Sequence, residues 1–169
     1  MGGLGSGNWF RWQGSKQTVE NSMALAIGIF RGRLFPHSDG TVTWTFRGGK
    51  QSSIGYFVTW TNDGPRLTLH YVRNDVENIE IPVTLQSTPT HFGGERWWFT
   101  CPLIVNGVVC RRRVGKLYLP GGAKYFGCRH CHGLTYRSCQ EAHSEERAAR
   151  FEARYEPEIT AFLARLNRD

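Results

Sequence analysis

Four of the five cysteines of this 169-residue chain fall between Cys101 and Cys131. Thiols gathered so closely either pair as disulfides or, as thiolates, hold a metal. Cys128-Arg-His-Cys131 has the C-x2-C spacing that brings two sulfurs to one ion, and Gly133 just beyond suits the tight turn such a pair needs. Cys101 and Cys110 are separated by eight residues rather than two, but Asn106-Gly107 between them is a strong hairpin signal that can fold the insert away. The expected ligand set is Cys101, Cys110, Cys128 and Cys131 around one structural Zn2+. Cys139 and His143, at i,i+4 on the helix expected next, are the alternative donors.

The disulfide reading requires an oxidising compartment. The amino terminus, "MGGLGSG", has neither the basic start nor the apolar core of a secretory signal. The longest apolar run, Met23–Phe30, is far shorter than the roughly 18–20 residues that span a bilayer. A cytoplasmic protein without membrane attachment is the expectation, and it favours metal. Gly2 and Ser6 fit the loose N-myristoylation pattern, which a flexible glycine arm explains equally well.

Four thiolates close a zinc shell, whereas a catalytic zinc keeps one position open for water and a carboxylate nearby. No Asp or Glu lies between Arg96 and Arg137. His132 and His143 do not complete a metal-dependent nuclease set, so no enzymatic activity is expected.

Charge points to the partner. The chain carries a formal +7, and eight of its 21 basic side chains but none of its 14 acidic ones lie between Arg96 and Arg137. Arg111, Arg112, Arg113, Lys116, Lys124 and Arg129 are the expected nucleic-acid contacts, DNA or RNA, through phosphate. In an extended "RRRVGK" segment, Arg111 and Arg113 would share one face and Arg112 the other. Tyr118, Tyr125 and Phe126 either form a small core or stack on bases.

The elements that must position these residues follow from patterning. Residues 1–17 read as a glycine-rich arm holding the cluster "NWFRW". Thr18 caps a predicted helix through Phe30, with Met23, Ile27 and Phe30 on its apolar face. Alternation then predicts strands over Thr41–Phe46, Ser53–Trp60, Arg66–Val72 and Glu77–Gln86, with Pro82 marking a sheet edge. Trp44, Tyr56, Trp60 and Tyr71 are expected in the core or in cross-strand pairs. "RRRVGKLYLPGGAKYFG" reads as strand, glycine turn, strand. Beyond residue 138 the composition is helical, Pro157 opens a second helix, and Ile159, Phe162, Leu163 and Leu166 form one apolar stripe suited to a protein partner. The predicted fold is therefore α+β: an antiparallel meander with one packed N-terminal helix (18–90), a ribbon over 91–137, and a C-terminal helical tail (138–169).

Knuckle, hairpin, knuckle resembles the zinc-ribbon superfamily over residues of about 96–137. Over most of residues 1–139, "MGGLGSG", "SIGY", "HFGGERWWF", "KLYLPGGAKYFGCRHC" and "LTYRS" resemble a group of small bacterial proteins frequent in phage-derived and mobile DNA. That resemblance implies a zinc site and a bacterial or phage setting, with no established activity. In such relatives the first knuckle is expected as a short C-P-x-C; this chain carries a longer form. Two functions follow as expectations: nucleic-acid binding without catalysis, or an inhibitor or adaptor acting on a nucleic-acid-processing complex.

Overall fold

The segment expected as the first helix is not one. The computed structural model describes residues 16–46 and 48–141. In it Val19–Asn21 make a 3-10 turn, Met23–Ala26 form strand β1, and Ile27–Phe30 make a second 3-10 turn. Thr18 makes no side-chain cap. The physical reason is tertiary: β1 pairs antiparallel with β10 (Lys116–Leu119), matching Leu25 to Leu117, and the Ile27 N–H donates to the Gly115 carbonyl at 2.9 Å. Gly28 and the β-branched residues around it have weak helix propensity, and the strand pairing outweighs it.

The meander is present. Strands β2 (Asp39–Thr45), β3 (Gln51–Thr61), β4 (Gly64–Arg73) and β5 (Glu77–Pro89) cover the four expected segments and are joined by β6 (Glu95–Thr100) and β9 (Arg113–Val114). Together they form one six-stranded antiparallel sheet in the order β2-β3-β4-β5-β6-β9. β5 pairs with β4 through Glu77–Thr84 and with β6 only from Leu85 onward, so Pro82 falls where the strand has a neighbour on one side.

Strand periodicity sends Val42, Ile54, Tyr56, Val58, Leu67 and Leu69 to one face, with Ile81, Val83, Leu85 and Phe99 continuing it. The β1–β10 pair and the cysteine segment cover that face. Phe30 meets Tyr56 edge-on at 4.9 Å and Phe99 at 6.0 Å, while Phe126 lies 5.7 Å from Tyr71 and 6.2 Å from Trp44. Two hydrogen bonds tie the layers. The Trp44 Nε1–H donates to the Ala24 carbonyl at 3.1 Å and the Tyr71 hydroxyl to the Lys124 carbonyl at 2.7 Å. Leu117, Leu119 and Phe126 thus share one hydrophobic core with the sheet. Of the four aromatics expected in the core or in cross-strand pairs, Trp60 is the most exposed, at 48%, and packs edge-on against Trp97 of β6.

The described fold is mostly β, not α+β: its sole α-helix among the described residues is α1 (Arg137–Glu141), of five residues. Of the expected strand, glycine turn and strand, β10 meets the later limb through a single antiparallel bridge, Tyr118 to Gly127, while β9 also joins the main sheet through β6 and β10 joins β1. A division at residues 90 and 91 falls between β5 and β6, adjacent strands of one sheet. Among the described residues, those up to Leu134 form one compact unit, and α1 belongs to a second that begins at Thr135. The expected helices beyond Glu141, with Ile159, Phe162, Leu163 and Leu166, lie outside the described residues, as does the glycine arm up to residue 15. No helix among the described residues is long and apolar enough to cross a membrane.

Candidate metal centre

Cys101 follows directly on β6, and its N–H donates to the Arg112 carbonyl at 2.8 Å. Pro102 and Leu103 then lead into a two-strand hairpin, β7 (Ile104–Val105) and β8 (Val108–Val109). Asn106 and Gly107 both take positive φ, 52° and 77°, as the tight hairpin turn requires. The Cys110 N–H donates to the Leu103 carbonyl at 2.8 Å and closes the hairpin. Without the hairpin, the path reads Cys-Pro-Leu-Cys. The hairpin is thus an insert within a C-x2-C knuckle, folded away at the Asn106-Gly107 turn as expected.

The second knuckle is wound tightly. His132 N–H reaches the Cys128 carbonyl at 3.3 Å, Gly133 N–H that of His130 at 3.1 Å, and Leu134 N–H that of Arg129 at 3.0 Å, with Gly133 at φ +61°. Gly127, just before it, has no room for a side chain: a Cβ there would stand 2.1 Å from Leu103 Cδ1 and 2.9 Å from His132 Nε2. Leu103 of the first knuckle therefore sits on the backbone of the second.

The result is a four-sulfur cluster. Cys101 and Cys131 place their Sγ atoms 3.9 Å apart, Cys110 and Cys128 3.8 Å apart, and all four lie within 4.8 Å of one another. A disulfide would need about 2.05 Å, so these are free thiols. A tetrahedral shell with metal–sulfur bonds of about 2.3 Å spaces its sulfurs about 3.8 Å apart. Both close pairs match that spacing.

Backbone amides complete the cradle. Cys128 N–H donates to Cys101 Sγ at 3.2 Å and Cys131 N–H to Cys128 Sγ at 3.5 Å. Leu103 and Arg112 amides point at Cys101 and Cys110 Sγ. Burial pushes the Cys101 thiol up to about 11 and raises Cys131 as well. Burial also acts on Cys110, but the Arg112 amide and the surrounding thiols outweigh it and hold it below the usual range. Four thiolates crowded in such a place repel one another, and a bound cation between them removes the conflict. These four cysteines can hold a metal ion.

The other predicted residues divide. Arg111, Arg112 and Arg113 are all exposed, but Arg111 has φ +50°, which breaks strand alternation and turns the Arg112 amide back toward Cys110. Only Arg113 lies in a strand. Lys116 is exposed at the start of β10. Lys124 is engaged: it bonds Glu77, which also meets Arg73 at 3.7 Å, and its ammonium lies 5.3 Å from the Tyr125 ring. Arg129 is half-buried between the ligands of the second knuckle. Cys139 is exposed on α1 and is not among the four clustered thiols.

Two features escaped sequence reasoning. The hairpin exposes Ile104, Val105, Val108 and Val109. Two guanidinium groups lie over the Trp98 ring, Arg96 at 5.7 Å and Arg113 at 5.5 Å from its centroid. Strand alternation places Arg96 and Trp98 on one face, but Arg113 reaches it only through the pairing of β9 with β6. Comparison with protein-family models, curated proteins and solved structures returns no match to this chain.

Proposed function

We propose that the protein is a non-enzymatic nucleic-acid-binding protein whose basic surface is organised by one structural Zn2+. The thiol-only donor set supports zinc over harder divalent ions, which take oxygen ligands. The observation that carries the reading is the run Arg111–Arg113 directly after a knuckle cysteine: three exposed guanidinium groups, none with a carboxylate partner among the described residues. Four thiolates and one Zn2+ leave the Arg96–Arg137 segment at about +6. A rigid cationic site of this kind neutralises phosphates and releases their counterions on binding.

The exposed aliphatic hairpin favours a second reading, an adaptor or inhibitor that docks a protein through Ile104, Val105, Val108 and Val109. One titration separates the two. Wild-type protein and the Arg111→Ala/Arg112→Ala/Arg113→Ala/Lys116→Ala variant are compared on DNA and RNA at two salt concentrations. Binding that weakens steeply with salt and is lost in the variant supports the first reading. Each phosphate contact removed should flatten the slope by about 0.9 on duplex DNA. No wild-type binding to either polymer sinks the first reading and leaves the adaptor.

A further inference from the structure

The sheet has a second face. One side of β5, β6 and β9 carries the core, and the other presents Gln86, Thr88, Arg96, Trp98, Thr100 and Arg113. No acid is among these positions; Glu80, on the same side of β5, lies six residues before Gln86. Resting on the nucleic-acid reading above, we infer that this face binds single-stranded nucleic acid, with Trp98 and its two arginines as the stacking platform.

Three observations carry this. The Trp98 ring is fixed rather than free, because its Nε1–H donates to Thr88 Oγ1 at 3.0 Å and its edge lies against Gly115. Arg96, two residues before Trp98 on β6, and Arg113, on the neighbouring β9, are both exposed and drawn to the indole, and neither forms an ion pair among the described residues. An arginine held in this way loses little freedom on binding, keeps its N–H fork for phosphate, and offers its plane to a base. Around the platform stand amide and hydroxyl groups, with Gln86 Nε2 donating to Thr100 Oγ1 at 2.7 Å. These can exchange that bond for hydrogen bonds to base edges.

Strandedness follows from the same geometry. Planar groups on a sheet face stack only on bases that are themselves unstacked, and a duplex keeps its bases inside. Duplex could reach Arg111 and Arg112 by phosphate contact but would gain nothing from Trp98. The charge run continues from those residues to Arg113, so the strand's backbone can follow the arginines while its bases turn onto the sheet.

The test uses the full chain and fluorescence anisotropy with labelled oligothymidine and oligouridine of about 20 nucleotides, enough to fill one such platform, and a duplex of matched length. Wild type should bind at least one single strand about tenfold or more tighter than duplex, the weight of one to two stacked bases. Arg96→Ala/Arg113→Ala should lose most of that preference, and Trp98→Leu should do the same. Because Trp98 is half-buried, the exposed double variant keeps the test meaningful if Trp98→Leu misfolds. Arg96→Lys/Arg113→Lys retains charge without the planar stack; it should keep the salt slope yet lose the strand preference. Equal affinity for strand and duplex, or a preference that these variants leave intact, overturns the inference while the nucleic-acid reading stands. Absence of binding to every polymer at low salt overturns both.

Discussion

Leu103 lies across Gly127, at a point where even a methyl group on the glycine would stand 2.1 Å from its Cδ1. This contact locks the two cysteine pairs together: Leu103 belongs to the first knuckle and Gly127 opens the second. Gly127→Ala should therefore destabilise the unit by about 1–3 kcal/mol, the usual cost of overpacking. Adding Leu103→Ala should recover part of the loss, because it removes the atoms in the way. Thermal melts of the single and double variants check this; equal melting temperatures for Gly127→Ala and wild type would refute it.

The hairpin is an insert that the knuckle does not need. Excising Ile104, Val105, Val108 and Val109 leaves Leu103-Asn-Gly-Cys110, a two-residue turn closed by the same Leu103–Cys110 hydrogen bond. The shortened protein should keep about one metal per chain, as a closed four-ligand site demands. Elemental analysis decides the point, and metal loss on excision would mean that the hairpin positions Cys110.

Metal removal should be felt beyond the cysteine segment. Leu117, Leu119 and Phe126 pack in the same core as Val58, Leu67 and Val83, so the sheet loses its cover when the knuckles open. Structural zinc contributes roughly 10–16 kcal/mol of binding energy in isolated finger peptides, comparable to the whole stability of a typical domain, about 5–15 kcal/mol. Chelation or Cys128→Ser should lower and broaden unfolding of the whole unit. A sheet transition that stays at its original temperature, followed by circular dichroism, would show that the sheet has a self-sufficient core.

Tyr71 sets an alkaline limit. Burial, with Tyr125 nearby, raises its hydroxyl from 10.0 to about 12. The folded state thus holds this proton more tightly than the unfolded chain does. Its contribution is complete below pH 10 and is lost as pH rises from 10 through 12. Tyr71→Phe should lose about 1 kcal/mol at neutral pH, since the Lys124 carbonyl loses its donor. The variant should also show a shallower decline in stability across that alkaline window. Urea melts at pH 8 and pH 11 measure both effects, and parallel declines would exclude the tyrosine.

Local chemistry was legible in the residues alone. Period-two alternation marked β2 to β5 because one sheet face is buried and the other is not. Asn106-Gly107 specified its turn since both positions need positive φ. Four thiols near one another in sequence, in two turns, already implied a metal site. Long-range pairing set the remainder. Met23, Ile27 and Phe30 have helical spacing, yet β10 offered β1 a row of backbone partners and the segment became a strand flanked by 3-10 turns. "RRRVGK" looked like one ribbon strand, but Arg111 turned left-handed to aim the Arg112 amide at Cys110, leaving Arg113 to join the main sheet. Arg96, Trp98 and Arg113 became neighbours only when β9 paired with β6. Such pairings depend on which backbone edges are left open after the core has formed, a long-range outcome that no short window of residues contains.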